Sequence, residues 1–284
     1  MSQGSHTFSV EAQDSAGNQS SAASFTWTIN TTAPPTPTIT STPANPTNQT
    51  SASFSFSDSQ TGVSFLCQLD SSAFTACSSP ATYSGLSQGS HTFSVKARDA
   101  AGNQSAAASF TWTVDTTVPP PTITSTPANP TNQNSATFSF TDTEAGVSFL
   151  CQLDGGAFSA CPSPQSYSGL SLGNHTFSVK AQDAAGNQSG AASFSWTIDT
   201  TPPPTPSITS TPSNPTKQTR ASFKFSDTET GVGFLCQLDG SAFSACSSPH
   251  SYSGLSLGNH TFSVKAQDAA GNQSGAASFT WTVM

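Results

Sequence analysis

The chain has 284 residues, 20 of them Pro and 20 Gly, with 8 % charged side chains and a net charge of −8. This composition excludes charge-rich disorder and long helices, and seven Lys and Arg cannot build the basic stripe that nucleic acid or anionic lipid requires. No apolar run approaches the roughly 18 residues of a membrane-crossing helix, and no secretory n-region or h-region follows Met1, so an export signal is expected outside this stretch.

The chain opens on two alternating segments, SHTFSVEAQDSAGNQSSAASFTWTI. The phrase HTFSV at His6 returns at His91, His175 and His260, spacings of 85, 84 and 85 residues. That period is too long for a solenoid unit and suits one small autonomous β domain. Residues 1–29 match only the last third of a unit, and complete units run over 33–114, 118–198 and 202–283. The opening stretch therefore reads as the last two strands of an incomplete repeat. A lone hairpin is marginal in water, and this one would expose Phe8, Val10, Phe25 and Trp27. It is expected to pack on an adjacent repeat of a longer chain or on another copy.

Each complete unit begins after a proline-rich linker: Asn30-Thr31-Thr32-Ala33-Pro34-Pro35, then Asp115-Thr116-Thr117-Val118-Pro119-Pro120, then Asp199-Thr200-Thr201-Pro202-Pro203-Pro204. Consecutive prolines favour extended geometry, which spaces the units semi-rigidly. Three domains would form a rod on the order of 100 Å.

Within the first unit, a short strand around Ile39 precedes SASFSFS, which sets Ala52, Phe54 and Phe56 on one face and Ser on the other. VSFLCQL and its return AFTAC follow, then a strand near Tyr83 and Leu86. GSHTFSVKARD turns Phe93, Val95 and Ala97 inward, and ASFTWTV turns Phe110, Trp112 and Val114 inward. Period-two alternation of this kind marks half-buried antiparallel strands. Seven strands per unit is the count of an immunoglobulin-like or fibronectin-III-like β-sandwich, so the fold class is all-β with tandem sandwiches.

Cysteines fall as C-x9-C in every unit: Cys67 with Cys77, Cys151 with Cys161, Cys236 with Cys246. Turn residues between them, Asp70-Ser71-Ser72 in the first unit, predict a hairpin centred on Ser72 with the sulfurs directly opposed, within disulfide reach. The even count agrees. The alternative is a reduced, buried pair in a cytosolic protein.

In a seven-strand sandwich the loops after the second and sixth strands share the pole that receives the linker. Carboxylates are expected to converge there: Asp115, Asp142, Glu144 and Asp183 with Asn187 at the second junction, and Asp199, Asp227, Glu229 and Asp268 with Asn272 at the third. Calcium takes six to eight oxygens from such a set. The competing reading makes these Asp and Asn residues plain turn formers that bond local backbone. The first junction is poorer, with Asn30 and Gln60 leaving Asp58 and Asp99. Apart from calcium, no cofactor is expected.

Other sites fail. His6, His91, His175 and His260 fall once per unit and read as surface strand residues, C-x9-C is not zinc-finger spacing, and no isolated acid, base and nucleophile set stands apart from the repeat. The sequons at Asn18, Asn103, Asn187 and Asn272 mark exposed loops. The chain reads as non-enzymatic.

The run F-L-C-Q-L-D-x-x-A-F-x-A-C-x-S-P, followed by Y-S-G-L-S-x-G-x-H-T-F-S-V-K-A-x-D-A-A-G-N and S-F-x-W-T-V-D-T-T, resembles the bacterial Ig-like repeat across the whole chain. The resemblance implies tandem arrays in large secreted or cell-surface, adhesin-type proteins. One departure is Phe93, with Phe177 and Phe262, where fibronectin-like domains often place a corner tyrosine; the corner is expected to be held by packing alone.

The function expected is an extracellular or cell-surface stalk, a spacer in a bacterial adhesin-like protein. The alternative is a multivalent array binding carbohydrate or a surface protein, or an accessory region of a secreted enzyme or virion surface protein. Against an array, the differences between units, at Ser71-Ser72, Lys217, Arg220 and His250, read as scattered loop sites without an aromatic platform.

Overall fold

The computed structural model describes all residues, 1–284. The chain divides into two compact units, Met1–Val118 with Asp183–Gln188, and Pro119–Gln182 with Ser189–Met284. Regular structure is entirely β, and no helix is long and apolar enough to cross a membrane.

In the first unit, β1 (Gly4–Val10) and β2 (Ala23–Ile29) form an isolated hairpin. The complete repeat that follows comprises β3 (Thr38–Ser41), β4 (Ser51–Ser57), β5 (Ser64–Leu69), β6 (Thr75–Cys77), β7 (Ala81–Ser84), β8 (Gly89–Arg98) and β9 (Ala108–Val114). A three-stranded sheet in the order β3-β4-β7 faces a four-stranded sheet in the order β6-β5-β8-β9, every pair antiparallel. The strand expected near Tyr83 and Leu86 ends at Ser84; Leu86 lies beyond it, its N–H donating to the Thr50 carbonyl (2.9 Å).

The second unit holds two more sandwiches built the same way. One comprises β10 (Thr122–Ser125), β11 (Ala136–Thr141), β12 (Ser148–Leu153), β13 (Ser159–Cys161), β14 (Gln165–Tyr167), β15 (Gly173–Gln182) and β16 (Ala192–Ile198). The other comprises β17 (Ser207–Ser210), β18 (Arg220–Ser226), β19 (Gly233–Leu238), β20 (Ser244–Cys246), β21 (His250–Ser253), β22 (Gly258–Gln267) and β23 (Ala277–Val283).

Alternation delivers the core. Ala52, Phe54 and Phe56 on β4 are buried, and Phe93, Val95 and Ala97 on β8 are fully enclosed. Phe54 stacks on Phe93 with ring centroids 4.2 Å apart, and Trp112 leans on Phe54 at 5.1 Å. The same stack recurs as Phe138–Phe177 and Phe223–Phe262. Each fully buried aromatic contributes about 1.5–3 kcal/mol from burial alone, plus a smaller offset-stacking gain.

The hairpin β1–β2 keeps the register of β8–β9, Phe8 opposite Phe25 as Phe93 is opposite Phe110. No facing sheet covers it: Phe8 is 59 % exposed and Phe25 68 %. Trp27 differs from expectation. It is half-buried, stacked between Phe25 (6.2 Å) and His6 (5.7 Å).

Candidate functional site

Disulfides join Cys67 to Cys77, Cys151 to Cys161 and Cys236 to Cys246, each with Cα atoms 5.8 Å apart. The register differs from the directly opposed pair expected. Phe65 faces Cys77 and Cys67 faces Thr75, so the cysteines are diagonal neighbours on one face and the turn centres on Ser71. The cause is Asp70, whose φ of 52° places it in the left-handed region, tightening the turn so that the Ser72 N–H reaches the Leu69 carbonyl (3.1 Å). Aspartate tolerates that region better than most residues.

Asp70 does more than turn the chain. Its Oδ1 accepts the Thr92 N–H (2.8 Å) and its Oδ2 accepts His91 Nδ1–H (2.9 Å). His91 Nε2–H donates to the Ser87 carbonyl four residues upstream (2.8 Å), and the ring rests on Trp112. The histidines expected on the strand surface are thus buried: His91, His175 and His260 are 6–7 % exposed. The corner is also not held by packing alone, because His91 supplies the hydrogen bond that Phe93 cannot make. Asp154–His175–Ser171 and Asp239–His260–Ser256 repeat the arrangement. His6 keeps the upstream bond, to Ser2, but has no aspartate partner. The signal that could have found this network is the constant spacing of 21 residues between Asp and His in each complete repeat.

Both acceptors around His91 lack hydrogens, so both ring nitrogens must donate and the ring is an imidazolium. The Ser87 carbonyl first, then Asp70, raises the His91 pKa above 6.5. At Asp70 burial acts to raise the carboxyl, and the His91 and Thr92 hydrogen bonds with the imidazolium charge outweigh it, leaving it below 3.8. The histidine contribution is complete below pH 6.5 and is lost as pH rises through the folded value. The aspartate contribution is present above pH 3.8 and is lost as pH falls through its folded value. Each complete repeat is therefore expected to be most stable between about pH 4 and 6.5, with urea midpoints declining above that window. The triple variant His91→Gln, His175→Gln and His260→Gln should flatten the alkaline decline; an unchanged slope would refute the assignment.

At the pole that receives the linker, the loop after β8 is tied to the linker itself. Asn103 Nδ2–H donates to Asp99 Oδ2 and to the Asn30 carbonyl (both 2.9 Å), and Asn30 Nδ2–H returns to Asp99 Oδ2 (2.9 Å). Asn30, Gln60, Thr61, Gly62 and Asp99 line an open hollow of about 530 Å³. The same unit holds Asn187 Nδ2–H on the Asp115 carbonyl (2.8 Å) and on Asp183 Oδ2 (2.6 Å). In the second unit Asn272 Nδ2–H bonds the Asp199 carbonyl and Asp268 Oδ2 (both 2.7 Å). These sequon asparagines are engaged rather than presented on open loops, and the sequon serines Ser105, Ser189 and Ser274 are buried.

The acidic residues mostly cap local backbone. Asp115 Oδ1 accepts the Thr117 N–H, and an Asp115 carboxylate oxygen lies within 4.8 Å of one of Asp183. In the second unit Asp142 Oδ1 accepts the Glu144 N–H, Asp199 Oδ1 the Thr201 N–H and Asp227 Oδ1 the Glu229 N–H (each 2.9 Å). Both Asp268 oxygens go to Asn272. Oδ2 of Asp58, Asp142 and Asp227 is buried without a hydrogen bond.

Three-on-four antiparallel sandwiches in tandem define an immunoglobulin-like, fibronectin-III-like β module. Residues 35–116 match the family model of the bacterial Ig-like domain, and the two later repeats restate the sequence of that segment. Chitinase A1 of Niallia circulans is 42 % identical over 125 residues, 39 % of this chain and 18 % of that enzyme's length. Among solved structures, the fibronectin(III)-like modules of Clostridium thermocellum CbhA are 18 % identical (57 % of this chain, 93 % of that one, TM-score 0.42). A tetra-tandem repeat from the extending region of a large adhesion protein is 20 % identical (99 % and 82 %, TM-score 0.34). A bacterial ice-binding adhesin is 17 % identical (82 % and 89 %, TM-score 0.39). The fold assignment rests on the strand order, not on these likenesses.

Proposed function

We propose that the chain is a non-catalytic spacer segment of an extracellular or cell-surface bacterial protein, its complete repeats being 33–114, 118–198 and 202–283. The observation that carries this reading is the repeated grip of a loop asparagine, Asn103, Asn187 or Asn272, on the carbonyl of the preceding linker. A gripped, proline-rich linker resists hinging, which is what a module that holds something at a distance requires. Three structural disulfides suit an oxidising compartment. The exposed face of residues 1–29 suits an adjacent repeat or another copy as partner.

Small-angle X-ray scattering tests it. A maximum dimension on the order of 100 Å is expected, whereas a radius of gyration near 19 Å, that of a compact globule of this length, would overturn it. Asn272→Ala should broaden the distance distribution. Calcium at the linker poles is proposed on a narrower footing, the unbonded Oδ2 of Asp58, Asp142 and Asp227; the same scattering with calcium and with chelator should differ if the ion binds there and stiffens the junctions.

A second reading, an accessory segment of a polysaccharide-degrading enzyme, is favoured by the similarity to a chitinase.

A further inference from the structure

The last complete repeat departs from its neighbours on one face. Strand β18 carries Arg220 and Lys224 where the first complete repeat has Ser51 and Ser55 and the second has Ser135 and Ser139. Residues along β18 alternate strictly, Ala221, Phe223 and Phe225 buried and Arg220, Ser222 and Lys224 exposed, so the two cations share the outer face. Ser251 and Ser253 of β21 pair with Ser222 and Arg220, and Ser210 of β17 pairs with Lys224. Arg220, Ser222, Ser251, Tyr252 and Ser253 line an open hollow of about 540 Å³. The ion pairs of the chain are the three His–Asp pairs, so neither cation has a carboxylate within 4.0 Å. Asp239, whose charge reaches Tyr252, is itself bound to His260 at 2.7 Å. On a chain of net charge −8 this face is a local reversal of sign.

We infer that the outer face of β18 and β21 binds an acidic polysaccharide. A guanidinium takes a sugar carboxylate or sulfate through two parallel hydrogen bonds; beside it Ser251 Oγ–H donates to Ser222 Oγ (3.0 Å), which leaves the Ser222 and Ser253 hydroxyls to donate to sugar hydroxyls and all three serine oxygens to accept from them. Lys224 lies four residues along the strand, about 13 Å from Arg220, so a ligand that engages both must carry anionic groups in series, as a polymer does. Nucleic acid fits poorly. Tyr252 is half-buried and packs on the core ring of Phe262 (6.1 Å), leaving no free platform for a base, and the overall negative charge repels a phosphate backbone.

The inference stands or falls apart from the spacer reading, since scattering reports on extension and not on ligands. Calorimetric titration of polygalacturonate into the full chain at low salt tests it, with dextran as the neutral control. The double variant Arg220→Ser and Lys224→Ser restores the residues of the other repeats, so it keeps the fold; an unchanged melting curve verifies this. Polygalacturonate is expected to bind, dextran not to, and the double variant to bind at least tenfold more weakly, with affinity falling as salt screens the charges. Failure of polygalacturonate to bind, equal binding by the variant, equal binding of dextran, or tighter binding of a DNA duplex would each overturn it.

Discussion

Phe93→Ala is expected to destabilise the first complete repeat by about 3–5 kcal/mol, the usual cost of truncating an enclosed phenylalanine. Phe93 is fully buried and stacked on Phe54 at 4.2 Å, with Phe56 at 5.8 Å and Tyr83 at 6.0 Å. Those neighbours are rings fixed to paired strands, so they cannot collapse into the space left behind. Domains of this size hold about 5–15 kcal/mol in all, toward the low end when small. The repeat would lose a third or more of its stability, and its melting point would drop by at least about 12 °C. Calorimetry should resolve one early transition while the other two complete repeats melt unchanged. Phe110→Ala, at a half-buried position of the same sandwich, should cost distinctly less. Equal effects of the two variants, or a loss under about 1 kcal/mol at Phe93, would contradict the single-layer aromatic core.

Much of this core was legible because β alternation is a local signal. SASFSFS states its own buried face, and Phe54, Phe56, Phe93, Val95 and Trp112 follow from period two without knowledge of partners. The cysteine pairing was legible for the same reason, as both members sit in one hairpin. Its register was not, because a shift of the turn from Ser72 to Ser71 depends on the φ of one residue, Asp70, which composition does not reveal. The histidine corner escaped because its parts lie on different elements. By period two His91 shares the inward face of Phe93, Val95 and Ala97, and its polarity alone made it read as a surface residue; Asp70 in the turn after the neighbouring strand and the Ser87 carbonyl around the bend make burial of its ring favourable. The cationic face escaped for a related reason. Arg220 read as a loop position until the strand was seen to begin there, which aligned it with Lys224. The junction carboxylates answer first to adjacent N–H groups, as turn chemistry dictates.

Reduction of the three disulfides is expected to cost each complete repeat about 2.8 kcal/mol, the chain-entropy value for closing a loop of about 11 residues. The bridged residues are 10 apart in sequence in every repeat. Reduction is a cleaner test than substitution. Cys67 is 3 % exposed and packs within the core, so Cys67→Ser would add the cost of a buried hydroxyl, whereas a reduced thiol stays in place as a small apolar group. Two opposing effects bear on the magnitude. The short hairpin between β5 and β6 retains some pairing when unfolded, which lowers the gain from tethering it. Against that, β6 is an edge strand held by only three ladder positions, so the covalent tie carries much of what keeps it docked. Urea titration with and without reductant should show the midpoint falling by roughly 2–3 M, taking a slope near 1 kcal/mol/M for a domain of this size. A shift under about 0.5 M would mean that the ladder and the core hold β6 unaided, and the sulfur bridges would then no longer argue for an oxidising compartment.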